Sequence, residues 1–261
     1  VVSNLTPADL GKLGLTGVTA ASLPALLAKV ATTADDGSAI QSAADLQTLA
    51  DAAKIAQAAI QAYAQTNAGT APTAAVYAAV GLELPGANAA EKALYLDAVN
   101  GALASVAIDG AKASTPDQLR SIITAAQHVI VAANGTAGDV EVLPSRSDFE
   151  ALGMSPTTLD AAGASGVEML AGVVDASTQA SLTRDKDGKA ISIPDKLAYL
   201  LGLIKDVITE AKATGFDAST PVTPAVLQEL GVKFDGLPLN GDGTPKNWSA
   251  IIAALRGSKD D

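Results

Sequence analysis

The feature that most constrains the fold of this chain is an internal repeat with fixed spacing. Four of the Asp-Gly pairs in the sequence share one spacing, because in each an apolar residue lies nine positions after the glycine. The four intervals are Gly37 to Leu46, Gly110 to Leu119, Gly188 to Leu197 and Gly243 to Ile252. A constant offset in four copies is typical of a repeated structural unit.

A second recurring feature is an apolar residue followed by glycine at the end of a short helical pattern. It occurs as Leu13-Gly14, Val80-Gly81, Leu152-Gly153 and Leu230-Gly231. Each pair follows a segment that opens with a helix-capping residue, as in Leu5-Thr6-Pro7-Ala8-Asp9-Leu10. The pattern predicts a short helix that begins at the cap and ends at the glycine.

Apolar residues after the Asp-Gly pairs recur with the spacing of an α-helix. Two copies superimpose position by position: Leu119, Ile122, Ile123, Ala126, Val129 and Ile130 match Leu197, Leu200, Leu201, Ile204, Val207 and Ile208. The first copy has a weaker series, and the last has Ile252 and Leu255. We expect Leu119, Ile122, Ile123, Leu197, Leu200 and Leu201 to be buried.

Between these two features lies a segment of variable length that predicts a medium helix in the first three copies, over residues 23–30, 93–106 and 159–174. The fourth copy has only residues 232–241 there, too few for a helix with its loops. The sequence therefore predicts an all-α fold of tandem three-helix-bundle repeats, the last one abbreviated. The repeats span residues 1–68, 69–139, 140–218 and 219–261. Their short linkers also allow a solenoid, in which each long helix packs on the next repeat.

Charge excludes several classes of partner. The chain has 17 Lys and Arg against 28 Asp and Glu, a formal charge of -11, without the basic stripe that nucleic acid or an anionic membrane would require. Its longest apolar stretches, residues 197–204 and 122–133, are shorter than the roughly 20 residues needed to span a bilayer. We therefore expect no nucleic-acid partner and no membrane insertion.

Cysteine is absent, which excludes disulfides, thiolate metal ligands and cysteine nucleophiles. The absence is compatible with export, since exported bacterial proteins often lack cysteine. The sequence starts at Val1 without an initiator Met or the regions of a signal peptide. We expect it to be a mature piece or an excised fragment.

Two acidic loops are candidates for calcium. Asp185-Lys186-Asp187-Gly188 and Asn240-Gly241-Asp242-Gly243 resemble the acidic part of a calcium loop. An EF-hand needs an acidic twelfth ligand, and counting Asp187 or Asp242 as the fifth places Pro194 or Ser249 there. Turn chemistry alone explains an Asp-Gly pair before a helix, and we favour that interpretation. Weak calcium binding at Asp185, Asp187 and Asp242, rather than at Asp109, is the alternative hypothesis; no other cofactor is expected.

The remaining residues that could support catalysis or ligand binding are better explained as packing residues. The single histidine, His128, lies on a helical segment with no second His or Cys to share a metal. No Gly-x-Ser-x-Gly elbow is present, and Gly163-Ala164-Ser165-Gly166 lacks a Walker lysine. We expect Trp248, the only Trp, to close the end of the last bundle. We do not expect an enzyme, although pairs of carboxylates could in principle meet in the fold.

The first copy resembles a known class of proteins. Leu5-Thr6-Pro7-Ala8-Asp9-Leu10 with Leu13-Gly14-Leu15-Thr16-Gly17-Val18-Thr19, then Asp35-Asp36-Gly37 and Asp45-Leu46-Gln47-Thr48-Leu49-Ala50-Asp51-Ala52, looks like the Ala-rich helical repeats of very large bacterial surface proteins, including biofilm-associated adhesins. The resemblance implies export, an extracellular cell-surface location and a structural or adhesive role as spacer or scaffold, with neighbouring repeats as partners. A helical module that binds a host or matrix protein is the alternative, and a carboxylate-based enzyme ranks last.

Overall fold

The structure is a computed structural model that describes residues 5–34, 36, 38–105, 108, 110–134, 142–212, 222–241 and 244–257. These residues form α-helices and no strand; the only β pairing among them is three isolated bridges. The predicted all-α class is confirmed. Backbone contacts divide the chain into two compact units, residues 1–127 with 150–153, and residues 128–149 with 154–261. The division into four repeats stays a prediction.

Six helices come first along the chain. They are α1 (Pro7–Lys12), α2 (Leu23–Ala31), α3 (Ala43–Thr66), α4 (Ala74–Ala79), α5 (Ala89–Leu103) and α6 (Pro116–Ala132). Helix α3 packs against α2 and also against α4. The medium helix predicted over residues 93–106 begins earlier, at Ala89, because Asn88 caps it: the Asn88 side chain accepts a hydrogen bond from the backbone N–H of Glu91.

Six further helices complete the described chain. They are α7 (Arg146–Ala151), α8 (Pro156–Ala176), α9 (Gln179–Leu182), α10 (Ile193–Lys212), α11 (Pro224–Glu229) and α12 (Trp248–Gly257). Helix α10 packs against α8, α9 and α12. The single-turn helix α9 is not in the predicted pattern. No helix forms over residues 232–241, as predicted for the abbreviated fourth copy.

Hydroxyl side chains fix where the long helices begin. Ser42 accepts a hydrogen bond from the Asp45 backbone N–H at 3.2 Å, and Ser192 accepts one from Asp195 at 3.3 Å. Each hydroxyl also donates to the carboxylate of the same aspartate. A backbone N–H that the helix leaves unpaired is thereby satisfied, and a carboxylate stands at the positive end of the helix dipole.

The predicted core residues are buried. Leu119, Ile122 and Ile123 on α6 and Leu197, Leu200 and Leu201 on α10 are each at most 6% exposed, so this prediction is confirmed. In the first unit, Leu10, Leu15, Leu26 and Ala50 form a cluster that joins α1, α2 and α3. In the second unit, Val207, Val222, Leu227 and Ile252 join α10, α11 and α12.

Candidate functional site

Four turns that end the short helices share one backbone geometry, and we call them the Gly turns. Their glycines have φ angles between +75° and +88°, at Gly14, Gly81, Gly153 and Gly231. In each, the amide after the glycine donates to the carbonyl five residues earlier, over 2.9–3.1 Å, in the pairs Leu15–Leu10, Leu82–Tyr77, Met154–Phe149 and Val232–Leu227. This is the Schellman arrangement, in which glycine adopts the left-handed conformation without strain.

Three of the Gly turns lie against the C-terminal end of an earlier helix. A Cβ added to Gly81 would be 2.3 Å from the carbonyl carbon of Ala28, in the last turn of α2. One added to Gly153 would be 2.5 Å from the Cβ of Ser105, just after α5, and the Ser105 hydroxyl donates to the Gly153 carbonyl at 2.6 Å. One added to Gly231 would be 3.8 Å from the Cβ of Ala176, the last residue of α8, which is an ordinary van der Waals contact. Any side chain at Gly81 or Gly153 would therefore separate packed backbone.

The first Gly turn has no such neighbour. A Cβ at Gly14 would meet nothing within 4 Å. Leu13 is 58% exposed, although Val80 and Leu152, which precede the glycines of the second and third turns, are fully buried. Leu5 is exposed as well, whereas the residues before the other three helix caps are buried: Pro72, Pro144 and Val222. We call Leu5, Leu13 and Gly14 the open face.

The second unit contains an open, mostly apolar depression between α8, α10, α11 and α12, which we call the apolar groove. It consists of two adjoining cavities of about 660 and 470 Å³ that share Met169, Val207 and Leu255. Helix α8 departs from helical geometry at Gly163, where φ is 72° and ψ is 178°, and this residue lines the larger cavity. Met169 is partly exposed in the groove, so the surface can accept apolar side chains of a partner.

A covered ion pair joins α10 and α12 in the second unit. Arg256 of α12 binds the Glu210 carboxylate of α10, and both side chains are at most 10% exposed. Lys212, two residues further along α10, lines the larger cavity. The groove therefore combines an apolar floor with a cationic group at one side, an arrangement that suits an amphipathic helix better than a small polar ligand.

The sequence-predicted Asp185 loop has the geometry of a turn. The Asp185 carboxylate accepts hydrogen bonds from the backbone N–H groups of Lys189 at 2.8 Å and Asp187 at 2.9 Å. The bond from Lys189 is the main reason that the pKa of Asp185 lies below its ordinary value. The Asp187 carboxylate pairs with Lys186 at 2.8 Å. Both carboxylates thus have partners within the chain.

Of the other three repeat loops with an Asp-Gly pair, only that of Asp36 can be compared with the Asp185 loop. Asp36 accepts from the backbone N–H of Ser38 at 2.9 Å, the same turn contact that Asp185 makes with Asp187. Asp109 and Asp242 lie outside the described residues. Among those described, no three His, Cys, Asp or Glu side chains are grouped as a metal site would require. Calcium binding at Asp185, Asp187 and Asp242 stays a prediction.

The single histidine makes a contact that the sequence did not indicate. His128 Nδ1 lies 2.8 Å from Asp148 Oδ1, and the other Asp148 oxygen accepts hydrogen bonds from the Ser145 hydroxyl at 2.6 Å and the Ser145 backbone N–H at 2.7 Å. Burial raises the pKa of Asp148, but the hydrogen bonds from Ser145 and His128 together hold it below its ordinary value. The pattern Ser145-x-x-Asp148 is itself a helix cap, the one sequence feature that pointed to this carboxylate.

These three residues do not form a nucleophile–base pair. A catalytic serine donates its proton to the histidine, which the aspartate orients from the other side. Here the Ser145 hydroxyl donates to the carboxylate instead, so the carboxylate lies between the two other groups. The arrangement holds the start of α7 and ties it to His128 of α6. It has the geometry of a structural contact.

Trp248 belongs to the core of the second unit. Its partly buried side chain packs against the cluster of Val207, Val222, Leu227 and Ile252. The Phe234 ring meets the indole edge-on, with centroids 6.3 Å apart and planes at 88°. Edge-on contact is a favourable arrangement of two aromatic rings. Trp248 is thus a packing residue, and its place at the end of the last bundle stays a prediction.

Comparison with known proteins gives no relative: no family model, no curated protein and no solved structure matches this chain. None of the helices in the described part of the chain combines the length and apolar character needed to cross a bilayer. Any function must therefore be inferred from the packing surfaces and side chains described above.

Proposed function

We propose that this chain is an array of tandem three-helix-bundle repeats, the last abbreviated, that serves as a structural and adhesive segment of a large secreted bacterial surface protein. In this role it is a spacer or scaffold on the cell surface, and its partners are neighbouring repeats. The observation that carries the proposal is the contact of Gly81, Gly153 and Gly231 with the end of an earlier medium helix. A contact of one kind made at each successive copy is what an array requires.

The long helices also support an array. Helix α3 packs on α2, within its own predicted repeat, and on α4, which begins the following one. Helix α10 packs on α8 in the same way, and its Lys196 forms a 2.9 Å ion pair with Glu229 of α11. A helix shared by two copies couples their stabilities and resists bending between them, as a solenoid does. The surface location rests on the resemblance of the first copy to adhesin repeats.

Adding a repeat tests the spacer role. We would duplicate residues 69–139 within the full chain and compare the radius of gyration by small-angle X-ray scattering. A compact globule would grow by only about a tenth, following the scaling of radius with chain length. A spacer should grow by about a quarter, in proportion to its length. Growth of about a tenth, with helical content per residue unchanged, would argue against a spacer.

The apolar groove favours a second candidate function, a module that binds a host or matrix protein. Met169→Lys would place a charge on the shared wall of both cavities. We expect it to abolish binding to a serum or matrix protein in a panel measured by biolayer interferometry. The matched control is Ile55→Lys on α3, where the side chain is 70% exposed and outside the groove. Equal binding by both variants would exclude the groove as the binding site.

Calcium is a separate proposal with a small expected effect. If the Asp185, Asp187 or Asp242 loops bind it weakly, stability should rise by less than about 1 kcal/mol when calcium is near its dissociation constant. Thermal melts with millimolar calcium and with chelator measure this. A shift of tens of degrees would show that the metal has a much larger structural role. The carboxylate-based enzyme hypothesis ranks last, because no motif in the sequence supports it; the carboxylates of Asp9, Asp45, Asp148 and Asp195 serve in helix caps.

A further inference from the structure

We propose that the open face, Leu5, Leu13 and Gly14, is a docking surface for the C-terminal end of a medium helix from one further repeat of the same kind. The inference rests on the proposed array. It goes beyond that array by assigning a partner to a surface on which nothing described in this chain packs.

The open face has the same local structure as its covered counterparts. Gly14 has a φ of 88°, identical to that of Gly153. Leu15 donates to Leu10 at 3.1 Å, the bond that Leu82 makes to Tyr77 at 3.0 Å. Leu10 itself is buried, as is Tyr77. The exposure of Leu13 therefore reflects a missing neighbour and not a different turn.

The covered turns indicate the chemistry of the missing neighbour. The three covered turns each meet a helix end at a residue with a small side chain: the backbone of Ala28 faces Gly81, and the side chains of Ser105 and Ala176 face Gly153 and Gly231. Small side chains allow two backbones to approach, and glycine on the opposite side leaves room for them. At Gly153 the neighbour also donates a hydroxyl hydrogen bond to the glycine carbonyl. An Ala or Ser at the end of a helix is thus the group that fits Gly14.

The medium helices of this chain are not free to supply that helix end. The ends of α2, α5 and α8 already carry Gly81, Gly153 and Gly231. A second copy of this chain would have to displace one of these contacts to dock on Gly14. An additional repeat has a free medium helix, and it would also cover the apolar side chains of Leu5 and Leu13. Covering Leu13 as Val80 is covered removes apolar surface from water.

Thiol labelling can test the docking, because the chain contains no cysteine. We would place a second copy of residues 1–67 before Val1, so that Ala28 of the added copy precedes Gly14 by the interval that separates Ala28 from Gly81. Leu13→Cys would then be labelled with Ellman's reagent in the natural chain and in the extended chain. We expect labelling to be at least tenfold slower in the extended chain.

Three controls make the outcome specific. Ile55→Cys, on an exposed site of α3, should label equally fast in both chains. Leu10→Cys in the added copy should label slowly, which shows that the added repeat folds. Val80→Cys in the natural chain should label slowly, because the array covers this position.

The results separate the two proposals. If Val80→Cys labels as fast as Ile55→Cys, the packing behind the proposed array is wrong. If Val80→Cys is protected but Leu13→Cys labels equally fast in both chains, only the docking inference is overturned. An added copy whose Leu10→Cys labels fast also contradicts the inference, because docking on the open face should fold and hold that copy.

Discussion

Helices α3 and α10 occupy equivalent places in their predicted repeats but bury different side chains. Both are preceded by an Asp-Gly loop and capped by a serine with an aspartate three residues later. The buried face of α3 consists mainly of alanine: Ala50, Ala53, Ala56 and Ala64, with Gln57 and Ile60. The buried face of α10 is built from larger residues, including Leu197, Leu200, Leu201, Ile204 and Val207.

The difference shows that one helical pattern can be packed in two ways. Around α3 the backbone of the neighbouring segment comes close: a Cβ on Gly110 would lie 2.3 Å from the side chain of Gln65. Around α10 the space is filled by branched side chains, and open cavities remain beside it. Packing by close approach should fail when atoms are added, whereas packing by large side chains should fail when atoms are removed.

The largest effect should follow from removing a leucine from α10. Leu201→Ala deletes a fully buried side chain, so we expect it to lower the free energy of unfolding by about 2–5 kcal/mol. Urea denaturation followed by circular dichroism measures the loss. Thr209→Ala, at an exposed position of the same helix, should change stability by less than about 0.5 kcal/mol. If Leu201→Ala costs no more than this control, α10 does not depend on its large side chains.

Adding atoms to α3 should be the next most damaging change. Ala53 is fully buried, and Ala53→Leu would add three carbon atoms to a closely packed contact; the expected cost is about 1–3 kcal/mol. Ile55→Leu on the same helix, where Ile55 is 70% exposed, serves as the control. A stabilised Ala53→Leu variant would show that α3 leaves room for a larger side chain, and the contrast with α10 would disappear.

The two helices also bury different polar groups, one neutral and one charged. Gln57 of α3 is neutral and donates to the Ala113 carbonyl at 2.9 Å, whereas Lys196 of α10 is paired with Glu229. The Lys196 side chain is 6% exposed and that of Glu229 is 27% exposed. Glu229→Gln leaves a covered ammonium with a weaker partner, and we expect a cost of about 1–2 kcal/mol. Lys196→Met leaves the Glu229 carboxylate partly hydrated and should lower stability by less than Glu229→Gln does. Urea denaturation measures both losses. A larger loss for Lys196→Met than for Glu229→Gln would contradict this account.

The smallest expected effect is a loss of stability at acid pH. Asp9 and Asp148 occupy the same position in α1 and α7, and the pKa of each lies below its ordinary value. The pKa of Asp9 falls to about 2, mainly because the Thr6 hydroxyl donates a hydrogen bond to its carboxylate. A lowered pKa means that the stabilisation is present above the ordinary value of about 3.9 and is lost as pH falls through the folded value. Thermal melts between pH 7 and pH 2 should show this loss.

A pair of variants identifies which carboxylate matters. Asp148→Asn should flatten the acid-induced decrease in melting temperature more than Asp9→Asn, because Asp148 is covered and also bonded to His128, while Asp9 is exposed to solvent. Solvent screens the interactions of an exposed carboxylate. An equal effect of the two variants would show that the cap alone, without the histidine, determines the response to acid.

Local features were predictable from the sequence, because they depend on nearby residues. The helical class, the short helices with their glycine ends, and the burial of Leu119 and Leu197 follow from caps, glycines and apolar spacing. The break at Gly163 was not predicted, because apolar spacing continues across it and a glycine inside a helical pattern does not by itself indicate a kink.

Features that depend on distant parts of the chain were missed. The contact between His128 and Asp148 joins residues twenty positions apart on two different helices, and no local pattern indicates it. The exposure of Leu13 beside the burial of Val80 is the clearer case, since the two positions have matching sequence contexts. Their difference depends on which helix lies against the turn. The repeat pattern identified the turns but not their neighbours.

The backbone hydrogen bonds of the four Gly turns also allow local opening to be compared along the chain. Each turn contains one hydrogen bond of the same connectivity, 2.9–3.1 Å long, donated by the amides of Leu15, Leu82, Met154 and Val232. Amide hydrogen exchange at a shared geometry reports the free energy of local opening. Ranking the four exchange rates, each corrected for its intrinsic rate, would therefore give a profile of opening energies along the chain, obtained from the unmodified polypeptide in a single experiment.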